Sequence, residues 1–473
     1  MQKKVTHILN LKSIGLLFLY IGIFLIPFNT YEGPSIMGEY NRHPCTFFFL
    51  MAFIISTLDI FLKRRIYFPL KNIVFQLLLL FLIWCALAAL FNINNIIDYY
   101  LKDTIGAVRF IKQYGSLIFS AFLLPLTFAN LFNGMKPIDL FKKIRLIYLI
   151  SFVVVTVYAF FEILIVVLKI TALVPVLEIF NYFPFTTVNI GYGLERISSV
   201  SFEPPELATY LITIAGWMFS YILTEKGIKK FLPALIVLIL TFFSDSRSGL
   251  AIIIVQFFLF IFMLYRQKRF RPQLNQFIAI AIIPLVFLIA FKGASITTYV
   301  YEKMTSFSIS DSTHGGSNKS RLGIQYANLK VFAEHPISGV GFGQSAFASR
   351  EHYPSWATNN NWEFRSMYLN PNHKPFPSVY NMYVRLLSET GIVGFVLFIS
   401  FLFALIWICY QICKSPREYD KQFRIFGLVL LITFVGISMN WLKTETFRIF
   451  GFWVALAFFL IVTGNRYKLF SKN

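Results

Sequence analysis

Long apolar runs separated by short polar breaks dominate this chain. A helix of about 20 apolar residues crosses the roughly 30 Å hydrocarbon core of a bilayer. Runs of about that length recur at 13–28, 45–62, 70–91, 115–132, 144–168, 207–223, 231–243, 250–265, 274–291, 392–413, 426–441 and 447–462. The pattern predicts an all-α, polytopic integral membrane protein with about twelve spans. No small-residue cleavage site follows the first run, so that run is expected to stay as a span.

The runs at 231–243 and 250–265 are short for a crossing. At about 1.5 Å per residue the first makes roughly 20 Å of helix. Between them lies Ser244-Asp245-Ser246-Arg247-Ser248-Gly249. In a membrane hairpin Arg247 would sit below the surface, where an arginine costs about 2.5–3.5 kcal/mol at the bilayer centre. Such a residue has a partner or a task, or it snorkels to the head groups. This stretch alone leaves those readings open.

Two connecting segments are long, 169–206 and 292–391, and loops of that size are functional or disordered in most proteins. They divide the chain into spans one to nine (1–291), a large loop (292–391) and spans ten to twelve (392–473). The large loop holds two helical patterns. One, at 321–333, sets Leu322, Tyr326, Leu329 and Phe332 on one face. The other, at 378–389, aligns Val379, Tyr380, Tyr383, Leu386 and Leu387 and ends at Gly391, a suitable C-cap. The loop is therefore expected to be partly helical.

Composition narrows the class. With 57% hydrophobic residues the chain is not an ordinary soluble domain. A net charge of +21 would suggest nucleic acid in a soluble protein. Here Lys63-Arg64-Arg65, Lys142-Lys143, Lys229-Lys230, Lys268-Arg269 and similar clusters fall in alternate short loops, which hold more than half of the 43 basic residues. Cytoplasmic loops carry such an excess, so both termini are expected in the cytoplasm and the long loops outside. Membrane lipids, not nucleic acid, are the expected surroundings.

The four cysteines lie in or beside apolar runs and read as buried small hydrophobes, with no disulfide framework. The six histidines lack metal-ligand spacing, and no cofactor or metal is expected. Gly339-Val-Gly341-Phe-Gly343 follows a helix and Pro336 instead of a strand, and it lies on the outer side, so it reads as a tight turn and not a nucleotide loop.

The outer segments carry a recurrent polar set: Glu195-Arg196, Glu203 and Glu206 before a span, Arg247 in the hairpin, and Arg321 in the large loop. A guanidinium fork binds two oxygens of a phosphate or diphosphate at once. Ser246 is placed to cap the helix beginning at Arg247, whose free N–H groups would face the same anion. An anion at the outer leaflet suggests a lipid-linked diphosphate. The alternative for each arginine is a salt bridge with Glu195, Glu203, Glu206 or Asp245. The aromatic and amide-rich stretch 356–376, with Trp356 and Trp362, suits a sugar surface and equally suits loop packing.

In combination these stretches resemble a known family. The order is Arg196…Phe202-Glu203-Pro204, Ser246-Arg247-Ser248-Gly249, Ser320-Arg321, Glu334-His-Pro-Ile-Ser-Gly-Val-Gly-Phe-Gly343, and Tyr380-Asn-Met-Tyr-Val-Arg-Leu-Leu-Ser-Glu-Thr-Gly391-Ile-Val-Gly394. It resembles the O-antigen ligase and O-antigen polymerase superfamily, most closely over 231–401. The resemblance implies a GT-C-like integral glycosyltransferase that is metal-independent and uses an undecaprenyl-diphosphate-linked glycan donor at the outer face of the bacterial inner membrane. It implies that Arg196 and Arg247 hold the diphosphate; Arg321 is the third candidate for that anion, and Asn381, Trp356 and Trp362 are the candidates to meet the sugar. Ligases carry His-Asn where this chain has Tyr380-Asn381, and that histidine is the proposed base. A tyrosine of ordinary pKa, about 10, is a poor base at neutral pH. His373 and Glu203 are the other candidate bases. The missing histidine favours a polymerase, with a lipid-linked acceptor and a chain-length regulator as a possible partner. A ligase is the close rival, and a lipid-linked-glycan transporter is the reading from another class.

Overall fold

The computed structural model describes residues 10–191, 195–266, 271–272, 275–276, 279, 315–414 and 421–470. Its main helices are α1 (Leu11–Phe24), α2 (Cys45–Lys63), α3 (Ile73–Phe91), α4 (Gly106–Phe132), α5 (Pro137–Val166), α6 (Pro204–Phe219), α7 (Leu232–Phe243), α8 (Arg247–Tyr265), α9 (Gly315–Glu334), α10 (Met382–Lys414), α11 (Lys421–Asn440) and α12 (Phe450–Phe470). Every expected span but the ninth falls on one of them. The ninth, 274–291, lies almost wholly outside the described residues. Eight of the helices are long and apolar enough to cross a membrane, and α1 and α12 contribute shorter apolar stretches. The chain is thus an all-α polytopic membrane protein. The strand content among the described residues is one hairpin, Tyr100–Leu101 against Thr104–Ile105.

Local chemistry sets the ends. Pro137, Pro204-Pro205 and Pro233 stand in the first turns of α5, α6 and α7, where a missing N–H costs nothing. α4 starts at Gly106, well before the expected 115, because its first turns carry Arg109, Lys112 and Gln113 and fail an apolar test. It widens into a π turn at Phe119–Leu123, beside Pro125, which returns no N–H to the turn before it.

Burial orders the helices. In α6, 83% of the span is buried, against 28% in α2. The fully enclosed Trp217, Trp441 and Trp453 lie on or beside α6, α11 and α12, which form the centre. Phe61 and Leu62 of α2, Phe160 of α5, and Phe258 and Phe262 of α8 are exposed, as lipid-facing side chains are. All four cysteines are free and buried.

The connecting loops sort into two sets that bond within themselves. At one end Lys12 reaches the Asn133 carbonyl, Asn130 exchanges bonds with Tyr67, Arg145 pairs with Glu225 at 3.0 Å, and Asn72 Nδ2 donates to Thr463. These are the basic short loops. At the other end Asn92 Nδ2 donates to Gly339 O, Lys102 Nζ to the Met367 and Pro375 carbonyls, Gln344 Nε2 to Gly106 O, and Met382 N–H to Trp441 O. These are the long loops, so the alternation read from charge is an alternation in space.

Two details differ from expectation or refine it. On α9 the buried residues are Ser320, Ile324, Ala327, Asn328 and Val331, while Leu322, Tyr326 and Leu329 stay more than 40% exposed. Small size wins over apolarity. A Cβ on Gly323 would strike Ala357, and Asn328 Oδ1 accepts the Ser388 hydroxyl, so the close-packing face is the small and polar one. Second, the Gly339–Gly343 stretch is a tight turn, as expected, and it docks on the break in α10. Gly339 (φ +63) has Glu389 and Thr390 backbone atoms within about 2.6 Å of where a Cβ would stand. At Gly391 (φ +64) the helix kinks, and Ile392 N–H donates to Pro336 O.

Candidate functional site

The stretch before α6 is held residue by residue. Ile197 N–H donates to Phe243 O, the last residue of α7. Ser198 and Ser199 N–H donate to the two oxygens of Glu162, at 3.0 and 2.7 Å. Ser201 Oγ donates to Pro27 O, and Phe202 N–H to Asn29 Oδ1. Arg196 heads this clamped stretch. It is half-buried, and its Nε is enclosed with no hydrogen-bond partner. Glu195 does not pair with it, because Lys169 takes that carboxylate at 3.2 Å. Glu162 comes from the middle of an expected span, and nothing in the apolar pattern around it marked it as a clamp. Glu162→Ala is expected to lower stability by about 2–4 kcal/mol, since two charge-assisted bonds are lost and two N–H groups are left unsatisfied. A thermal melt of the detergent-solubilised protein measures this.

Arg247 opens α8. Ser246 is its N-cap, with extended backbone and Oγ accepting from Gly249 N–H at 3.3 Å, as the sequence suggested. Asp245 takes the left-handed conformation (φ +53) that lets the chain reverse between α7 and α8. A Cβ on Gly249 would lie 2.6 Å from Ala208 Cβ, so the start of α8 sits against the first turns of α6. The Ile197–Phe243 bond and the Gly249–Ala208 approach therefore bring the Arg196 and Arg247 segments to the same end of the same helices.

Glu203 occupies the N-cap position of α6, exposed, with no capping bond from its side chain. One turn on, Glu206 lines a half-open cavity of about 100 Å³ with Asn29, His43, Ser201, Thr209, Asn440, Thr444 and Arg448. Thr209 and Asn440 bond across it and couple α6 to α11. His43 is pushed down to about 3 by burial and by Arg448, so it lines the cavity as a neutral ring.

Sequence reasoning missed the loop between α11 and α12. Lys443 Nζ is enclosed there with no hydrogen-bond partner. Burial pulls its pKa down to about 8, Glu206 opposes that, and Arg321 adds to it. Arg448 pairs with Glu39 and keeps an enclosed, unpartnered Nε. The available signal was three charges within six residues between two apolar runs. The same loop anchors α10 through a buried network. Arg385 donates to Glu389 Oε2, Glu445 O and Gln113 Oε1, each at 3.0 Å, and Ser345 Oγ donates to Glu389 Oε1 at 2.9 Å.

The remaining expected residues separate. Arg321 stands 5.1 Å from the Tyr380 ring and electrostatically beside Lys443, so the large loop does deliver both to this end. Asn381 Oδ1 accepts from Tyr383 and Val384 N–H and caps α10, which leaves only its Nδ2 for a ligand. Trp356 packs edge-on to Tyr326, and Trp362 is largely exposed. His373 has an enclosed Nδ1 without a partner. Among the described residues no group of three or more His, Cys, Asp or Glu could hold a metal ion.

No curated protein matches this chain. Residues 232–399 match the family model for O-antigen ligase. The matched stretch runs from α7 through Arg247, α9 and the glycine turn into α10, and over that stretch the match supports the O-antigen ligase and polymerase superfamily.

Proposed function

We propose that this protein is a polysaccharide polymerase, joining undecaprenyl-diphosphate-linked glycan repeat units at the outer face of the bacterial inner membrane. The observation that carries the reading is the meeting of the Arg196 and Arg247 segments beside a polar cavity, through the Ile197–Phe243 bond and the Gly249–Ala208 contact. An acceptor hydroxyl attacks the anomeric carbon, and the carbon–oxygen bond to the diphosphate breaks with its electron pair on the leaving group. Negative charge grows on the diphosphate as the bond lengthens, so guanidinium groups fixed beside it stabilise the transition state more than the ground state. No metal is required for that charge balance. Arg321 joins Arg196 and Arg247 on the diphosphate side, and Asn381, Trp356 and Trp362 belong to the glycan side of the site in this reading. Both termini are cytoplasmic and the cavity opens outward.

The ligase reading, with finished glycan passed to a lipid A core, draws support from the matched family's description. Tyr380 in place of a histidine favours the polymerase. The glycan profile of a deletion strain separates them. A polymerase loss leaves single repeat units on carrier or core, whereas a ligase loss leaves full-length polymer on the carrier and none on the acceptor. Unchanged polymer on the acceptor would refute both. A chain-length regulator as partner would show as altered ladder lengths on its removal.

A further inference from the structure

We propose that Tyr380, Tyr368 and Glu363 form a proton relay that carries the acceptor hydroxyl's proton out of the site. The proposal rests on the glycosyl-transfer reading above and supplies the base which that reading lacks.

The first observation is a strained tyrosine. Tyr380 has φ +58, a left-handed conformation that strains a non-glycine residue and persists where the surroundings over-determine it. They do so here. Val379 N–H is held by the Glu445 carboxylate, Asn381 caps α10, and Met382 N–H is shared between Trp441 O and Thr444 O at 2.9 and 3.0 Å.

The second observation is the direction of the hydroxyl chain. Tyr368 Oη lies 3.4 Å from Glu363 Oε2 and 2.8 Å from Tyr380 Oη. An ionised carboxylate only accepts, so Tyr368 donates to Glu363. Its oxygen must then accept from Tyr380. Tyr380 has therefore used its one proton, and its lone pairs remain to accept from a third group. Tyr368 closes a π turn, Phe364–Tyr368, a distortion that recurs at functional positions. Arg321, beside both the Tyr380 ring and Lys443, sets this end of the chain next to the cationic side of the cavity.

The step balances. The acceptor oxygen bonds to the anomeric carbon as its proton passes to Tyr380 Oη, the Tyr380 proton passes to Tyr368 Oη, and the Tyr368 proton passes to Glu363. The diphosphate leaves with the electrons of the broken bond. Glu363 is half-exposed and returns the proton to water. Burial raises both phenols, so the protons hop together and neither ring stays ionised. The neighbouring groups serve less well. His43 is a weak base in its buried place, and the Glu445 carboxylate is occupied by Val379 N–H.

The test uses the full chain in nanodiscs with a lipid-diphosphate-linked repeat unit, and farnesyl diphosphate as the binding probe. Glu363→Gln and Tyr368→Phe should each lower kcat by about 100-fold, in the range of lost general-base assistance, with KM and probe binding unchanged. The wild type should give a bowed proton inventory in mixed H2O and D2O, reporting several protons in flight, and Tyr368→Phe a linear one. Wild-type kcat in both variants overturns the relay. So does loss of probe binding in step with activity, which marks a structural role. If instead the wild type neither turns over the repeat unit nor binds the probe, the glycosyl-transfer reading fails, whatever the relay variants do.

Discussion

Arg247→Ala is expected to abolish polymer while the protein stays folded in the membrane. Other groups hold the backbone around it. The start of α8 is fixed by the Ser246 cap and by the Gly249–Ala208 approach, and α7 is tied to the preceding stretch by the Ile197–Phe243 bond. In the proposed reaction the chemistry does depend on it. In water-excluded sites, removal of a single preorganised donor costs about 2.7–4 kcal/mol in the transition state, or 10²- to 10³-fold in rate. A guanidinium facing a diphosphate offers two such donors and a full charge. Arg247→Lys keeps the charge and loses the fork, so it should recover activity only in part. The ladder of glycan lengths reads the result directly. A normal ladder in Arg247→Ala would remove the central role given to this residue, and equal rescue by lysine would reduce that role to charge alone.

The spans were legible because hydropathy decides them: a membrane helix must be apolar along its length, and eight are long and apolar enough to cross. The face of α9 was not legible. Periodicity marked Leu322, Tyr326 and Leu329 as the buried side, but close approach to Ala357 and α10 selected Gly323, Ala327 and Asn328. The site was half legible. Arg196 and Arg247 announced themselves as charges among apolar runs, and Ser246 as a cap. Glu162, Lys443 and the Arg385–Glu389 pair did not, because their partners lie far away in sequence. Arg385 and Gln113 are 272 residues apart. Asn381 shows the converse. A residue in a motif position proves to cap its own helix, and local geometry explains it without any ligand.

Arg385→Ala is expected to be the most destabilising single change at this end of the molecule, by about 3–5 kcal/mol, because it leaves the Glu389 carboxylate buried and uncompensated. Both side chains are enclosed, with Arg385 9% and Glu389 1% exposed. The guanidinium also joins three elements: α10 through Glu389, the 441–449 loop through Glu445 O, and α4 through Gln113. Its loss should loosen the glycine turn as well, since Ser345 follows that turn and bonds the same carboxylate. The double variant Arg385→Met with Glu389→Leu removes the stranded charge and should recover much of the stability, as apolar pairs of similar volume do in place of buried ion pairs. Activity should stay low, because Gln113 and Glu445 O lose the guanidinium that ties them to α10 beside Lys443 and Arg448. A double-mutant cycle on thermal stability separates the pair's coupling from the contributions of each residue. Additive effects would show that the two side chains do not act as a pair. A double variant with full activity would show that the network holds the fold alone and does not position the cavity.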